Sequence, residues 1–266
     1  MTSNNESVKN IITVALVICL VCSILVSTAT VVLKPLQDTN KRLEKKKNVL
    51  MAGNLLAGKN PDVEKIFAEK IHAIVIDLKT GLELPKEKLT GDLNPEKFDI
   101  IKVSQNPTSS QLLPSNKDIA GIKRIPLYSL LYFAKEDNKI NKIIFPIYGQ
   151  GLWSTLYGFI ALDQDLKTIG GITFYEHGET PGLGGEVDNL KWKATWKGKI
   201  AFDQNDQYLL KVIKGKTSPN ATSEVDGLSG ATLTTRGVDN LVRFWFGPDG
   251  FGPFLAKLRK EGVTHE

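Results

Sequence analysis

A polar tail gives way to residues 11–33, a run of 23 positions without one charged side chain. As a helix rising about 1.5 Å per residue, this run slightly exceeds the roughly 30 Å hydrocarbon core of a bilayer, so it predicts one span with lipid contact along residues 11–33. A cleaved signal peptide is the rival, since Ser27-Thr28-Ala29 resembles a small-residue cleavage site. The apolar run continues past that site and Lys9 is the only basic side chain before it, which favours an uncleaved anchor. Residues 39–57 have helical composition ending near Gly58, and Pro61-Asp62 opens a second helix towards Lys70. Residues 73–78 read as a strand stopped by Lys79-Thr80-Gly81, after which residues 82–115 are polar, interrupted by proline and mostly loop. Residues 123–132, 142–148, 158–162 and 168–175 are β-branched or aromatic at close spacing and predict one antiparallel sheet, with a hairpin-like turn over 134–139. Residues 208–213 predict a further strand. From Leu233, the positions Val238, Leu241, Val242 and Trp245 keep helical spacing until Gly247-Pro248, giving a helix of about fifteen residues. The pattern is α+β: a single amino-terminal transmembrane helix (residues 1–34 with its tail), a helical connector and first lobe over 35–140, and a region over 141–266 that completes one mixed α/β domain with an antiparallel sheet.

Composition narrows the function classes. With 266 residues, 41% apolar and 24% charged, the chain can bury one substantial core beside the membrane segment. The net charge of +5 is modest, and the lysines are scattered except at 41–47, without interleaved aromatics, so nucleic acid is not an expected partner. Cys19 and Cys22 both sit in the apolar run, which leaves the rest without disulfides or thiolate ligands; no metal-ligand spacing occurs anywhere.

Three glycine-rich stretches hold the candidate chemistry. Asp226-Gly227-Leu228-Ser229-Gly230-Ala231-Thr232-Leu233-Thr234-Thr235 leads straight into the last amphipathic helix, so amide groups, hydroxyls and the positive helix end converge on one small volume. That suits a phosphate, although on spacing alone an ordinary N-cap by Thr232 or Thr234 accounts for it better. Gly227-Leu-Ser-Gly-Ala231 also approximates the nucleophile elbow G-x-S-x-G, which would make Ser229 a hydrolase nucleophile with His177 as base. In the second stretch, His177-Gly-Glu179-Thr180-Pro181-Gly182-Leu183-Gly184-Gly185, proline fixes one torsion and the glycines free the next, exposing successive amides. Thr180-Pro181 serves equally as an N-cap with proline at the first helical position. His177 by default is a structural hydrogen-bonder. The third stretch, Tyr148-Gly-Gln-Gly-Leu-Trp153-Ser154, offers Tyr148 and Trp153 as flat faces for a planar ring, or as core aromatics around a turn. Lys211 and Lys214 face either a phosphate or solvent.

The segment from Asp226 to Thr232 resembles the flavinylation motif of bacterial membrane redox subunits, whose last threonine is joined through its hydroxyl to the phosphate of FMN. With the His177–Gly185 motif upstream, the anchor and the length, the chain resembles the NqrC family, the C subunits of sodium-translocating NADH:quinone reductases, with the G subunit of Rnf complexes as the near relative. The resemblance spans nearly the whole chain and is sharp from about Tyr148 onward. It implies an FMN-binding region over 141–266, with FMN held covalently by Thr232. Ser229, Gly230 and Ala231 would shape the approach, and Asp226 would help a flavin transferase recognise the segment. Leu233, Thr234 and Thr235 at the helix head, Tyr148 and Trp153, and His177, Glu179, Thr180, Gly182, Leu183 and Gly184 would complete the cofactor site.

The implied role is electron carriage between other membrane and redox subunits of the same complex, without a substrate pocket of its own. One alternative is the flavin subunit of an Rnf-type complex; the alternative from another class is a membrane-anchored extracytoplasmic binding module without a redox group. The family location is the bacterial inner membrane, single-pass, with the domain on the periplasmic side. Charge points the other way: Lys34, Lys41, Arg42, Lys45, Lys46 and Lys47 follow the span, whereas Lys9 alone precedes it.

Overall fold

The computed structural model describes residues 3–58, 60–137 and 139–262. They form a long helix α1 (Ser3–Ala52), α2 (Val63–Lys70), β1 (Ile71–Asp77), α3 (Ile100–Gln105), β2 (Ser110–Leu112), β3 (Arg124–Pro126), β4 (Tyr128–Glu136), β5 (Lys139–Gln150), β6 (Thr155–Asp163), β7 (Ile169–Glu176), α4 (Leu190–Ala194), β8 (Lys211–Val212), β9 (Glu224–Val225), α5 (Thr232–Trp245) and α6 (Gly252–Glu261). Residues 1–44 and 45–266 separate as two compact units.

In the first unit, α1 is long and apolar enough to cross a membrane. The hydroxyls of Ser23 and Thr30 donate back to the carbonyls of Leu20 and Val26, so these polar groups in the apolar run are satisfied by their own helix. The apolar span and the helical composition that begins at residue 39 belong to one continuous helix. Pro35 lies inside the helix, and the Thr39 hydroxyl donates to the Pro35 carbonyl. The helix also ends at Ala52, earlier than the composition of residues 39–57 suggests, because Val49, Leu50 and Ala52 are drawn into the core of the second unit. The Thr173 hydroxyl donates to the Asn48 carbonyl at 3.1 Å, and a Cβ on Gly171 would stand 2.5 Å from the Ala52 carbonyl oxygen, so β7 admits this end of α1 at backbone contact.

The second unit is organised by a five-stranded antiparallel sheet in the order β1-β4-β5-β6-β7. Both faces are covered. Neighbours along a strand point to opposite sides, and on β4 the ring of Phe133 meets Phe254 of α6 while that of Tyr132 meets Phe67 of α2. Phe145 on β5 packs against Phe246, Phe251 and Phe254, giving the α5–α6 side an aromatic core. The pairing of β4 with β5 runs across the 140/141 division read from the sequence, so those two regions share one sheet.

Several elements differ from the sequence reading for local reasons. Residues 123–132 are two strands: β3 pairs with β2 in a separate ribbon, and only β4 joins the sheet. The polar stretch 82–115 holds α3, capped by the Asp99 carboxylate on the Ile101 amide, and β2. The strand expected at 208–213 is reduced to β8, which pairs in parallel with β9.

Helix α5 sits close to the sheet because two glycines allow it. A Cβ on Gly237 would meet the Gln150 carbonyl at 2.5 Å, and one on Gly149 would meet the Leu241 Cβ at 2.6 Å. The stripe Val238, Leu241, Val242 and Trp245 is fully buried, and the Trp245 indole N–H donates to the Tyr148 carbonyl at 2.7 Å. The head of α5 is thereby fixed at the end of β5.

Candidate functional site

The 226–232 loop is fastened at its start and open at its end. The Asp226 carboxylate accepts from the Thr217 amide at 2.7 Å and the Thr217 hydroxyl at 2.8 Å, and these bonds, the amide first, hold its pKa below the usual aspartate value. Its carbonyl accepts from the Trp192 indole, whose ring lies edge-on to Trp196. The Gly227 amide donates to the Gly215 carbonyl, and a Cβ there would stand 2.3 Å from the Ile213 carbonyl oxygen. Gly230, at φ 72°, then turns the chain into α5.

The N-cap expected of Thr232 or Thr234 is a correction. Ala231 occupies the cap position without a side-chain bond, and the three threonines have different tasks. Thr235 is buried and its hydroxyl accepts from the Leu228 amide at 2.9 Å. Thr234, 0% exposed, donates its hydroxyl to Glu179 Oε2 at 2.6 Å. Thr232 is exposed, and among the described residues its hydroxyl has no partner. Its amide and those of Leu233 and Thr234 are the first-turn donors that a helix leaves unpaired, and the amides of Ser229 and Gly230 likewise have no acceptor among the described residues.

The second loop touches this one. A Cβ on Gly230 would stand 3.0 Å from Leu183 Cδ2, and one on Gly184 would meet both Glu179 Oε2 and Thr234 Oγ1 at 2.6 Å. Thr180-Pro181 does not start a helix, a second correction: the Thr180 carbonyl accepts from the Leu183 and Gly185 amides in a tight turn, with Gly182 at φ 76°. The amides of Gly182 and Gly184 have no acceptor among the described residues. His177 is a structural hydrogen-bonder, as its default role has it. Its Nε2 lies 2.9 Å from Asp188 Oδ2, and its Nδ1 is 3.2 Å from the Glu179 amide. The bond to Asp188 raises its pKa against the opposing effect of burial.

The third stretch divides its two aromatics. Trp153 is 70% exposed on the turn between β5 and β6. Tyr148 corrects its expected role as a ring platform. It is 3% exposed, stacked on Tyr157 with centroids 5.6 Å apart and tilted against Trp245, so its faces belong to the core. Sequence reasoning also gave Glu179 too small a part. Its carboxylate accepts from the amides of Leu152, Trp153 and Ser154 as well as from Thr234, while the Gly178 amide donates to the Ser154 hydroxyl at 2.6 Å. Burial raises the Glu179 pKa, but these four donors outweigh it and hold the group below the usual glutamate range.

The arrangement joins the three stretches into one wall. Leu152, Trp153, Leu183 and Leu233 leave apolar side chains exposed around the unpaired amides of the α5 head. Beside it a cleft of about 280 Å³ opens between residues 118–121, residues 150–152 and the α5 positions Leu233, Arg236, Gly237 and Asn240. His177, the candidate base for nucleophilic catalysis by Ser229, has both ring nitrogens engaged with Asp188 and the Glu179 amide. No cluster of metal-ligating side chains occurs among the described residues. Lys211 and Lys214 are exposed.

Residues 151–247 match the FMN-binding domain family. The C subunit of the Na(+)-translocating NADH-quinone reductase of Pseudomonas aeruginosa is 46% identical over 97% of this chain and 98% of that protein, and its Yersinia pestis counterpart is 43% identical over 98% and 97%. Among solved structures, NqrC of Shewanella oneidensis superimposes with a TM-score of 0.76 at 36% identity, covering 84% of this chain and 99% of that one. The corresponding reductase C subunit from Parabacteroides distasonis gives 0.65 at 26% identity, covering 88% and 98%.

Proposed function

Since the chain belongs to the NqrC family, the C subunits of Na(+)-translocating NADH-quinone reductases, and contains its FMN-binding domain, we propose that it carries FMN through a phosphoester to the Thr232 hydroxyl and passes electrons between other subunits of such a complex. One observation supports Thr232 above its neighbours. Of the three threonines at the head of α5, Thr234 and Thr235 are buried with their hydroxyls already hydrogen-bonded, and Thr232 alone presents an exposed oxygen without a partner among the described residues.

The surroundings fit the group. The amides of Ser229, Gly230, Leu233 and Thr234 would hold phosphate oxygens at the positive end of α5. Trp153, Leu183 and Leu233 would give the flavin ring apolar surface, and the amides of Gly182 and Gly184 would meet its polar edge or ribityl chain. Tyr148 has no such part. Bound FMN supplies the redox chemistry; this chain supplies position, electrostatics and exclusion of water. Asp226 fixes the segment that a flavin transferase must recognise for attachment.

The domain is assigned to the periplasmic side of the inner membrane. The opposing charge signal is weakened by the fold itself. Lys45 is half-buried with its ammonium towards the Phe98 carbonyl, desolvation lowering its pKa, and Lys46 pairs with Glu64 over the Phe67 ring. Those cations serve the domain, and domains of this length translocate largely regardless of charge.

The test is to co-express the chain with a flavin transferase, denature it, and look for flavin fluorescence in the protein band with peptide mapping of the adduct. An adduct on Thr232 is expected. No covalent flavin, or an adduct on another hydroxyl, overturns the assignment.

A further inference from the structure

We propose that Glu179 is a positioning residue of the flavin site, whose carboxylate pins the Trp153 turn to the head of α5 so that the two sides of the site hold a fixed separation. Its bonds cross three parts of the chain. Oε1 accepts from the Trp153 amide at 2.9 Å and the Ser154 amide at 3.1 Å, while Oε2 accepts from the Leu152 amide at 3.3 Å and the Thr234 hydroxyl at 2.6 Å. Thr234 stands two residues after Thr232, and Trp153 is the exposed ring. One carboxylate therefore touches both the segment that would hold the phosphate and the turn that would support the ring.

Two features show that this is more than a convenient turn. Glu179 is 5% exposed, and no cation pairs with it among the described residues. A buried carboxylate without a cation is costly, and here successive amides and one hydroxyl offset that cost. The surroundings are also cut to its shape. A Cβ on Gly151 would stand 2.6 Å from Oε1 and one on Gly184 2.6 Å from Oε2, so glycines of two separate motifs are there to make room for one anion. The glycine pattern that reads as ligand-binding loops is in these two places a mould around Glu179.

The effect on flavin rests on the assignment of FMN to Thr232; the pinning itself does not, so the test has an arm for each. In the full chain without flavin, hydrogen exchange at the amides of 152–154 and quenching of tryptophan emission by acrylamide read the turn directly, because Trp192, Trp196 and Trp245 are buried. Glu179→Gln removes the charge and turns an NH2 group towards donors; exchange at 152–154 is expected to rise about tenfold or more, the factor for loss of charge-assisted bonds. In the flavin-loaded chain the visible circular dichroism should change while the adduct on Thr232 persists. Thr234→Val, which leaves the carboxylate in place, should give the same dichroism change, and Thr234→Ser should restore it; this pair decides the matter if Glu179→Gln does not fold. Unchanged exchange at 152–154 in a folded Glu179→Gln chain, or unchanged flavin dichroism in loaded Thr234→Val, overturns the proposal. Changed exchange in a chain that never acquires flavin leaves the pin standing and removes the FMN assignment instead.

Discussion

Gly182 and Gly184 stand two residues apart in one loop, yet an added methyl group should fail at each for a different reason. At Gly182 a Cβ meets nothing within 4 Å, but the backbone sits at φ 76°. Alanine there has space and pays only the left-handed penalty of about 1–2 kcal/mol. At Gly184 a Cβ would stand 2.6 Å from both Glu179 Oε2 and Thr234 Oγ1, where ordinary contact begins at 3.4 Å, an overlap of 3.4 − 2.6 = 0.8 Å with each. Those two atoms are bonded to one another at 2.6 Å, so neither can retreat without breaking that bond. Losing a hydrogen bond to a charged group costs about 1.5–3 kcal/mol. For a domain of this size each kcal/mol lowers Tm by about 2–4 °C, so Gly182→Ala should lose about 2–8 °C and Gly184→Ala about 3–12 °C. Melting alone does not separate them. Emission of Trp153 in the unloaded chain does: Gly184→Ala should shift it by loosening the turn held by Glu179, and Gly182→Ala should leave it unchanged. Identical Trp153 emission in the two variants would refute this account of Gly184.

Thr232→Ala should abolish covalent flavin, whereas Thr235→Val should retain it and lose about 1–3 kcal/mol of stability, because the Leu228 amide is left without an acceptor; adduct mapping and denaturant melts check both. Asp188 raises the His177 pKa above 6.5, so their pairing stabilises the fold fully below about that pH and the contribution fades as pH rises through the raised value. The Tm deficit of Asp188→Asn should therefore be larger near pH 5.5 than near pH 8.5, and a deficit that grows with pH would show the sign to be wrong. Alkaline phosphatase fused after Glu266 should be active and a cytoplasm-only reporter dark; the reverse would put the domain in the cytoplasm.

What the sequence made legible was whatever local pattern dictates. The α5 stripe, the core strands of the main sheet and the apolar span each repeat a period that a short window contains. The continuity of α1 through Pro35 was hidden because the residues that draw its end into the core lie on β7, more than a hundred positions away. Tyr148 looked like a platform because an aromatic beside glycines reads the same whether its ring faces solvent or Trp245. The meeting of the two motif loops could be expected from resemblance, but the carboxylate that joins them could not. Its partners at 152–154 and 234 are 25 or more residues away on either side, and a single glutamate among glycines carries no signature of four incoming donors.

The last turns of α1 belong to the folding of the domain. Asn48–Ala52 is at once the continuation of the apolar helix and a buried layer on β7, with Val49 and Leu50 fully enclosed. Any attempt to release a water-soluble fragment is bound by this. Cleavage before Lys45 leaves the layer in place, but cleavage at Gly53 separates it from the Gly171 and Thr173 surface that it covers and leaves the edge strand β7 without it.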